Sequence, residues 1–354
     1  MVPLKKLLIV DDSALMRGHL TRTFTAEGDF QIRLARNGQE AVDENRLFQP
    51  DVVTLDINMP VLDGLGALAQ IMATRPVPVV MVSSLTERGA LATFEALALG
   101  AVDYVAKPDG TISLSIEKIS AELVRKVRAA LRAKPHARPS PRTMVRRIDT
   151  GRPPAPERRR SKRGLVLIGV STGGPSTLET ILTGLAADFP DPIVVAQHMP
   201  ASFTGPFAQR LNGLCDLTVL EVIRPIPLET GTVYIGKGGA DIVIAQRSGK
   251  YVALPKPESR QHLWHPSVEL LGLSALEHFD ATSLTAVMLT GMGHDGADAF
   301  AEIARRGGRT IAESEDSAVV FGMPKELIAR GGAQVVLPCE QIAAQLGTWA
   351  REPA

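Results

Sequence analysis

The sequence predicts an α/β protein built as two doubly wound parallel-sheet domains, the second with a small antiparallel excursion. Three observations lead there. The chain has 354 residues, too many for one ordinary domain and suited to two. Short apolar runs alternate with amphipathic stretches on both sides of a central break, which means parallel strands covered by helices on both faces. The break itself is a Pro- and Arg-rich strap with few apolar residues. The expected divisions are a first domain over 1–131, a linker over 132–163 and a second domain over 164–350.

Taken in order, Leu7-Leu8-Ile9-Val10 reads as a buried strand, and Met16, Leu20 and Phe24 recur at a spacing of four, as on one helix face. Further strands are expected at 32–35, 52–55, 79–82 and 104–105, with helices between them. Residues 132–163 hold six prolines and twelve Lys or Arg against two acids, a net +10 that leaves about −9 for the rest of a chain whose net charge is +1. Such a segment buries too little surface to offset its ordering entropy, so it reads as an extended linker. Polyanion contact is the alternative. No aromatic interleaves the basic residues and no helix-turn-helix follows, so no nucleic-acid partner is expected. Alternation then resumes with strands at 165–168, 193–196 and 286–289. The runs 233–235, 242–245 and 251–254, separated by Gly-rich turns, read together as the antiparallel excursion.

Hydrophobic residues at 45% against 22% charged are the balance of a globular protein, and aromatics at 4% leave the cores to aliphatic side chains. The chain contains no apolar run long enough to span a bilayer, and its start lacks a secretory leader, so a cytoplasmic protein that is not membrane-embedded is expected. Cys215 and Cys339 match no metal or disulfide spacing and read as reduced thiols.

In the first domain, Asp11 and Asp12 follow the first strand and Asp56 follows the third. Strand ends in a parallel sheet form sites, so the three carboxylates converge on one pocket. Their mutual repulsion calls for a hard cation, and Mg²⁺ with oxygen ligands suits them. Ser83 and Lys107, at the ends of the fourth and fifth strands, add a hydroxyl and an ammonium around the same point.

The segments Val10-Asp11-Asp12-Ser13, Leu55-Asp56-Ile57-Asn58-Met59-Pro60, Val82-Ser83-Ser84 and Ala106-Lys107-Pro108 resemble a response-regulator receiver domain, a flavodoxin-like fold, over roughly 4–130. The resemblance implies that Asp56 accepts a phosphoryl group from a histidine kinase. It also implies that Asp11, Asp12, Asp56 and the backbone carbonyl of Asn58 hold Mg²⁺, and that Ser83 and Lys107 contact the phosphoryl oxygens. Tyr104 would be the aromatic that changes rotamer on activation, with plain packing as its alternative.

In the second domain, Gly169-Val170-Ser171-Thr172-Gly173-Gly174 lies between a strand and a helix and satisfies G-x-S-x-G. Alone, the motif is open between an esterase nucleophile, an anion-binding turn and a simple tight turn. It has no Walker lysine and no dinucleotide fingerprint. A nucleophile needs a base and an orienting acid. His198 ends the next strand, within Gln197-His198-Met199-Pro200, and Asp295 ends the run Thr290-Gly291-Met292-Gly293-His294-Asp295-Gly296. The order Ser, His, Asp differs from the Ser, Asp, His of α/β-hydrolases. His294 adjoins the acid, His262 and His265 flank Trp264 in a loop, His278 follows a helical pattern, and His19 and His136 lie outside this domain. His198 is therefore the expected base.

Together with His265-Pro266-Ser267-Val268 and Val320-Phe321-Gly322-Met323-Pro324, these segments resemble the CheB-type protein-glutamate methylesterases of bacterial chemotaxis, over 164 to about 345. The second domain would then be a Rossmann-like methylesterase domain. The resemblance implies hydrolysis of glutamyl methyl esters, and deamidation of glutamines, on the cytoplasmic domains of chemoreceptors. It also implies an unphosphorylated receiver packed over the esterase cleft. Catalysis is expected from Ser171, His198 and Asp295, with the backbone N–H groups of Thr172 and Met292 as oxyanion donors and no cofactor in this domain. His294 stands where many relatives carry Asn, and 260–264 lacks the Asn-Arg-His-Arg run of the enteric enzymes. The competing readings are a non-catalytic phospho-dependent binding module, a DNA-binding regulator, and a related esterase or deamidase of another signalling system.

Overall fold

The computed structural model describes residues 3–84, 86–107, 112–132 and 164–352, side chains at 87 and 112–118 excepted. Pro108, His136 and nearly all of the basic strap lie outside the described residues.

The first unit runs β1 (Lys5–Val10), α1 (Ala14–Glu27), β2 (Phe30–Ala35), α2 (Gly38–Leu47), β3 (Val52–Asp56), α3 (Gly64–Thr74), β4 (Val79–Ser84), α4 (Glu87–Ala98), β5 (Asp103–Lys107) and α5 (Ile112–Ala130). Leu7, Leu8 and Ile9 are fully buried, as expected of a parallel strand covered on both faces. Leu20 and Phe24 turn the apolar stripe of α1 into the core, and Ser13 caps that helix by accepting the Met16 N–H. The strands pair in parallel in the order β2-β1-β3-β4-β5. Neighbouring β1 and β3 thus deliver Asp11 and Asp56 to the same sheet edge.

The second unit runs β6 (Leu165–Val170), α6 (Gly174–Leu182), β7 (Ile193–Gln197), α7 (Ala201–Leu214), β8 (Thr218–Val222), β9 (Ile226–Pro227), β10 (Thr232–Gly236), β11 (Asp241–Arg247) and β12 (Lys250–Lys256). It continues through α8 (Val268–His278), β13 (Leu284–Met288), α9 (Ala297–Arg305), β14 (Arg309–Glu313), α10 (Met323–Ala329), β15 (Val335–Leu337) and α11 (Cys339–Arg351). Seven strands form a parallel sheet in the order β15-β14-β13-β6-β7-β10-β8. The chain leaves β6 toward β7 and later returns on its other side through β13, so the strand order reverses at β6 and opens a crevice there.

One expectation is corrected. The run 233–235 is not part of the antiparallel excursion: β10 lies between β7 and β8 in the main sheet, parallel to both. The excursion consists of β11 and β12 with the two-residue β9. Its local pattern is the same as that of β10, and only the non-local partners differ.

The two units share buried apolar surface. One cluster passes from the first sheet through Phe94 and Tyr104 to Phe203 and Phe207 on α7. Phe94 on α4 meets Phe207 at 5.2 Å between centroids and Phe203 edge-on at 6.2 Å. Val319, in the loop before α10, packs against the buried cluster of the first unit that includes Leu7, Phe24 and Leu123. None of the described helices is long and apolar enough to cross a membrane. Neither Cys215 nor Cys339 is in a disulfide.

Candidate active site

Parallel pairing aligns the strand ends at the switch point. Val170 is in register with Gln197, and Gly169 with both Ala196 and Met288. The ladder continues past the strands: His198 N–H donates to Val170 O at 3.1 Å, and Ser171 N–H donates to Thr290 O at 2.9 Å. Ser171 and His198 are therefore the next residues on adjacent strands about 4.8 Å apart. Gly173 has φ of 80°, the left-handed region a sharp strand-to-helix turn needs, and it directly precedes α6.

His198 Nε2 lies 2.9 Å from Asp295 Oδ2, with side chains 9% and 3% exposed. His198 Nδ1 is buried and has no partner. The ring thus spends one nitrogen on the acid and leaves the other without a partner. Asp295 is held hard: Ser267 Oγ donates to it at 3.0 Å, and the N–H groups of Val268 and Glu269 at 2.7 and 3.1 Å. These are the first residues of α8, so the positive end of a helix faces the carboxylate. Burial alone would raise the Asp295 pKa. The hydrogen bond and charge of His198, with the two backbone donors, outweigh it and hold the carboxyl below its ordinary value.

Thr290 ties the nucleophile turn to its neighbours. Its hydroxyl donates to Thr172 O at 2.8 Å and accepts from Val320 N–H at 2.9 Å. Its own N–H donates at 2.8 Å to the fully buried carboxylate of Glu313 at the end of β14. The backbone N–H groups of Thr172 and Met292 have no acceptor among the described residues. Sequence reasoning missed Thr290, Glu313, Ser267 and the placement of Trp264. The cap Ser267 before an apolar helical run was the one local signal for a helix N-terminus aimed at the acid.

Three of the competing histidines have other places. His19 bonds Ser120 in the first unit at 2.7 Å, and His265 Nδ1 bonds the buried Asp241 at 2.8 Å. His278 ends α8.

In the first unit, Lys107 Nζ lies 2.9 Å from Asp11 Oδ2 and 2.8 Å from Asp56 Oδ2. One oxygen from each of Asp11, Asp12 and Asp56 falls within 4.8 Å of the others. Burial, opposed by Lys107 and aided by Asp11, raises the Asp56 pKa above its ordinary value. Asp56 and Asp11 in turn overcome burial and raise that of Lys107. An all-oxygen donor set crowded in this way fits a hard divalent cation. Asn58 is exposed two residues beyond Asp56. Ser83 lies inside β4, and its hydroxyl donates to Gly89 O at 3.1 Å. Tyr104 is buried and faces the second unit, with its ring against Phe203.

The molecule is thus a two-unit α/β protein, with a lysine-bridged carboxylate cluster on one sheet and a Ser, His, Asp set at the switch point of the other. The chain belongs to the CheB methylesterase family: that family's pattern matches residues 166–346, and the response regulator receiver domain matches residues 7–116. It is 55% identical over 354 residues to "Protein-glutamate methylesterase/protein-glutamine glutaminase 3" of Rhodospirillum rubrum, covering 97% of this chain and 96% of the relative. It is 51% identical over 362 residues to "Protein-glutamate methylesterase/protein-glutamine glutaminase 2" of Rhodopseudomonas palustris, covering 99% of each. Among solved structures, it resembles the CheB methylesterase catalytic domain of Thermotoga maritima, with a TM-score of 0.51 and 37% identity, over 53% of this chain and 99% of that one.

Proposed function

We propose that this chain is a phosphorylation-controlled serine esterase that hydrolyses glutamyl γ-methyl esters on the cytoplasmic domains of chemoreceptors and deamidates their glutamines. The observation that carries it is the His198 ring, bonded through Nε2 to Asp295, with Nδ1 left without a partner, on the strand directly beside that of Ser171.

In the mechanism, Ser171 Oγ attacks the ester carbonyl and its proton passes to His198 Nδ1. Asp295 fixes the tautomer and balances the imidazolium. The carbonyl oxygen, now negative, sits against the N–H groups of Thr172 and Met292, each worth about 3 kcal/mol in such a position. The bond to the methoxy group breaks as His198 protonates it, releasing methanol. Water, deprotonated by His198, then frees Ser171 and leaves glutamate. With a glutamine substrate the leaving group is ammonia.

Control resides in the first unit. Asp56 is the phosphoryl acceptor and a histidine kinase the donor. Asp11, Asp12, Asp56 and the Asn58 carbonyl would hold Mg²⁺, which offsets negative charge on the phosphoryl oxygens. Lys107 would swing from the carboxylates to a phosphoryl oxygen, and the Ser83 hydroxyl would turn from Gly89 to join it. The α4 and β5 face rests on α7, which begins three residues after His198. Docked there, the receiver restricts approach to the esterase cleft.

The test is methanol release from methylated receptor cytoplasmic fragments by the full-length chain and by Ser171→Ala. Loss of nearly all release in Ser171→Ala is expected. Retention of wild-type activity would eliminate Ser171 as nucleophile.

A further inference from the structure

Trp264 lies in the loop between β12 and α8, and its indole is nearly parallel to the His198 imidazole, at 7° and 5.8 Å between centroids. His294 meets the same indole at 89° and 5.5 Å. The loop is anchored by Asp241, a carboxylate 1% exposed at the start of β11. Asp241 accepts from Ser259 N–H at 2.8 Å, His265 Nδ1 at 2.8 Å and Ser267 N–H at 2.9 Å. Both ends of the segment carrying Trp264 are therefore tied to one buried anion. Gly293 makes room for the ring: a Cβ there would fall 2.9 Å from the indole. Such a tether is more than packing requires for a side chain that stays partly exposed.

We propose that Trp264 is a positioning residue of this esterase site, holding the His198 ring in plane through its indole face and stabilising the positive charge that ring gains from Ser171. The inference rests on the esterase reading above. Charge develops on His198 only after the Ser171 proton reaches Nδ1, so the π face contributes more in the transition state than in the resting site. Among the described residues, Ser171 on the adjacent strand, Asp295 at Nε2, Glu269 beside Asp295, His262 near Glu269 and His294 across the indole are polar or titratable groups near the ring. Of these, Asp295 supplies the counter-charge and Trp264 a flat apolar wall that fixes the ring's tilt. His294 edge-on to the indole holds the wall in place, which gives the residue beside the acid a role of its own.

The experiment uses the phosphorylated full-length chain and methylated receptor fragments, with kcat and KM followed across pH for wild type, Trp264→Leu and Trp264→Phe. The Leu variant keeps apolar bulk without a π face, and the Phe variant restores one. Expected is a fall in kcat of about 2- to 30-fold in Trp264→Leu with little change in KM. Its acid limb of activity should move to lower pH by about 0.3–1 unit, because an imidazole without the π face takes a proton less readily. Trp264→Phe should recover most of both effects. An unmoved acid limb, a loss confined to KM, or a Phe variant as impaired as the Leu variant would overturn the proposal. Absence of methanol release by the wild type would instead remove the esterase reading itself.

Discussion

Tyr104 of β5 lies flat on Phe203 of α7, with ring centroids 4.7 Å apart and planes 15° apart. Lys126 holds the Tyr104 ring from α5, with its ammonium 4.9 Å from the centroid and bonded to Tyr104 O at 2.6 Å. That ammonium is fixed in turn by Asp103 at 3.3 Å and Glu122 at 3.2 Å. The stack therefore joins β5 of the receiver to the helix that follows the His198 turn, and a Tyr104 rotamer change would break it. Aromatic pairs are worth about 0.5–1.5 kcal/mol beyond buried area. Tyr104→Leu should accordingly raise methanol release by the unphosphorylated chain about 2- to 12-fold, measured without phosphodonor. A fall would contradict a restraining contact.

Asp295 accepts hydrogen bonds from Ser267, Val268 and Glu269, and with His198 these donors keep it charged against its burial. Asp295→Asn keeps the shape but favours the wrong imidazole tautomer. The expectation is a loss of about 10⁴-fold in kcat at neutral pH with KM nearly unchanged. A loss below tenfold would place the orienting acid elsewhere.

Gly291 packs directly against the nucleophile turn. An added Cβ would lie 2.7 Å from the Ser171 Cβ and closer still to the Met323 sulfur. Gly291→Ala should displace Ser171 relative to His198 and lower kcat by about 10²-fold, since misplacement near 1 Å costs that much. Circular dichroism and receiver phosphorylation should be unaffected, which separates misplacement from unfolding.

Asp56 is ionised in a buried site that raises its pKa, so its charge opposes folding at neutral pH. A raised carboxyl contributes stability below its unfolded pKa, and that contribution is lost as pH rises through the folded pKa. Asp56→Asn should therefore unfold at a higher temperature than wild type at pH 7. The gain should shrink as pH falls into the carboxylate range, and Mg²⁺ should narrow it at pH 7. Thermal unfolding across pH reads all three effects, and a lower unfolding temperature for the variant at pH 7 would contradict them.

The strand-end acids and the three catalytic candidates were legible because parallel sheets place function at strand C-termini, so short apolar runs followed by Asp, Ser, His or Lys mark sites directly. The identity of β10 was not legible. Residues 233–235 and 242–245 have the same local pattern, and partners 40 positions away decide which enters the main sheet. Trp264 was visible as a residue but not as a neighbour of His198, because its loop is placed by hydrogen bonds to Asp241, up to 26 positions away. The Tyr104 and Phe203 stack crosses the basic strap, and no periodicity on either side encodes it. The Ser83 hydroxyl is bonded to Gly89 O, which is a state of the side chain that sequence does not specify.

The central claim, that Asp56 governs Ser171, is tested most directly by methanol release from methylated receptor with Mg²⁺ and a small phosphodonor, for wild type and Asp56→Asn. A shift of a few kcal/mol in docking predicts a phosphodonor-dependent rise on the order of a hundredfold in wild type, and none in the variant. An equal rise in both, or no rise in wild type that still releases methanol, would contradict it.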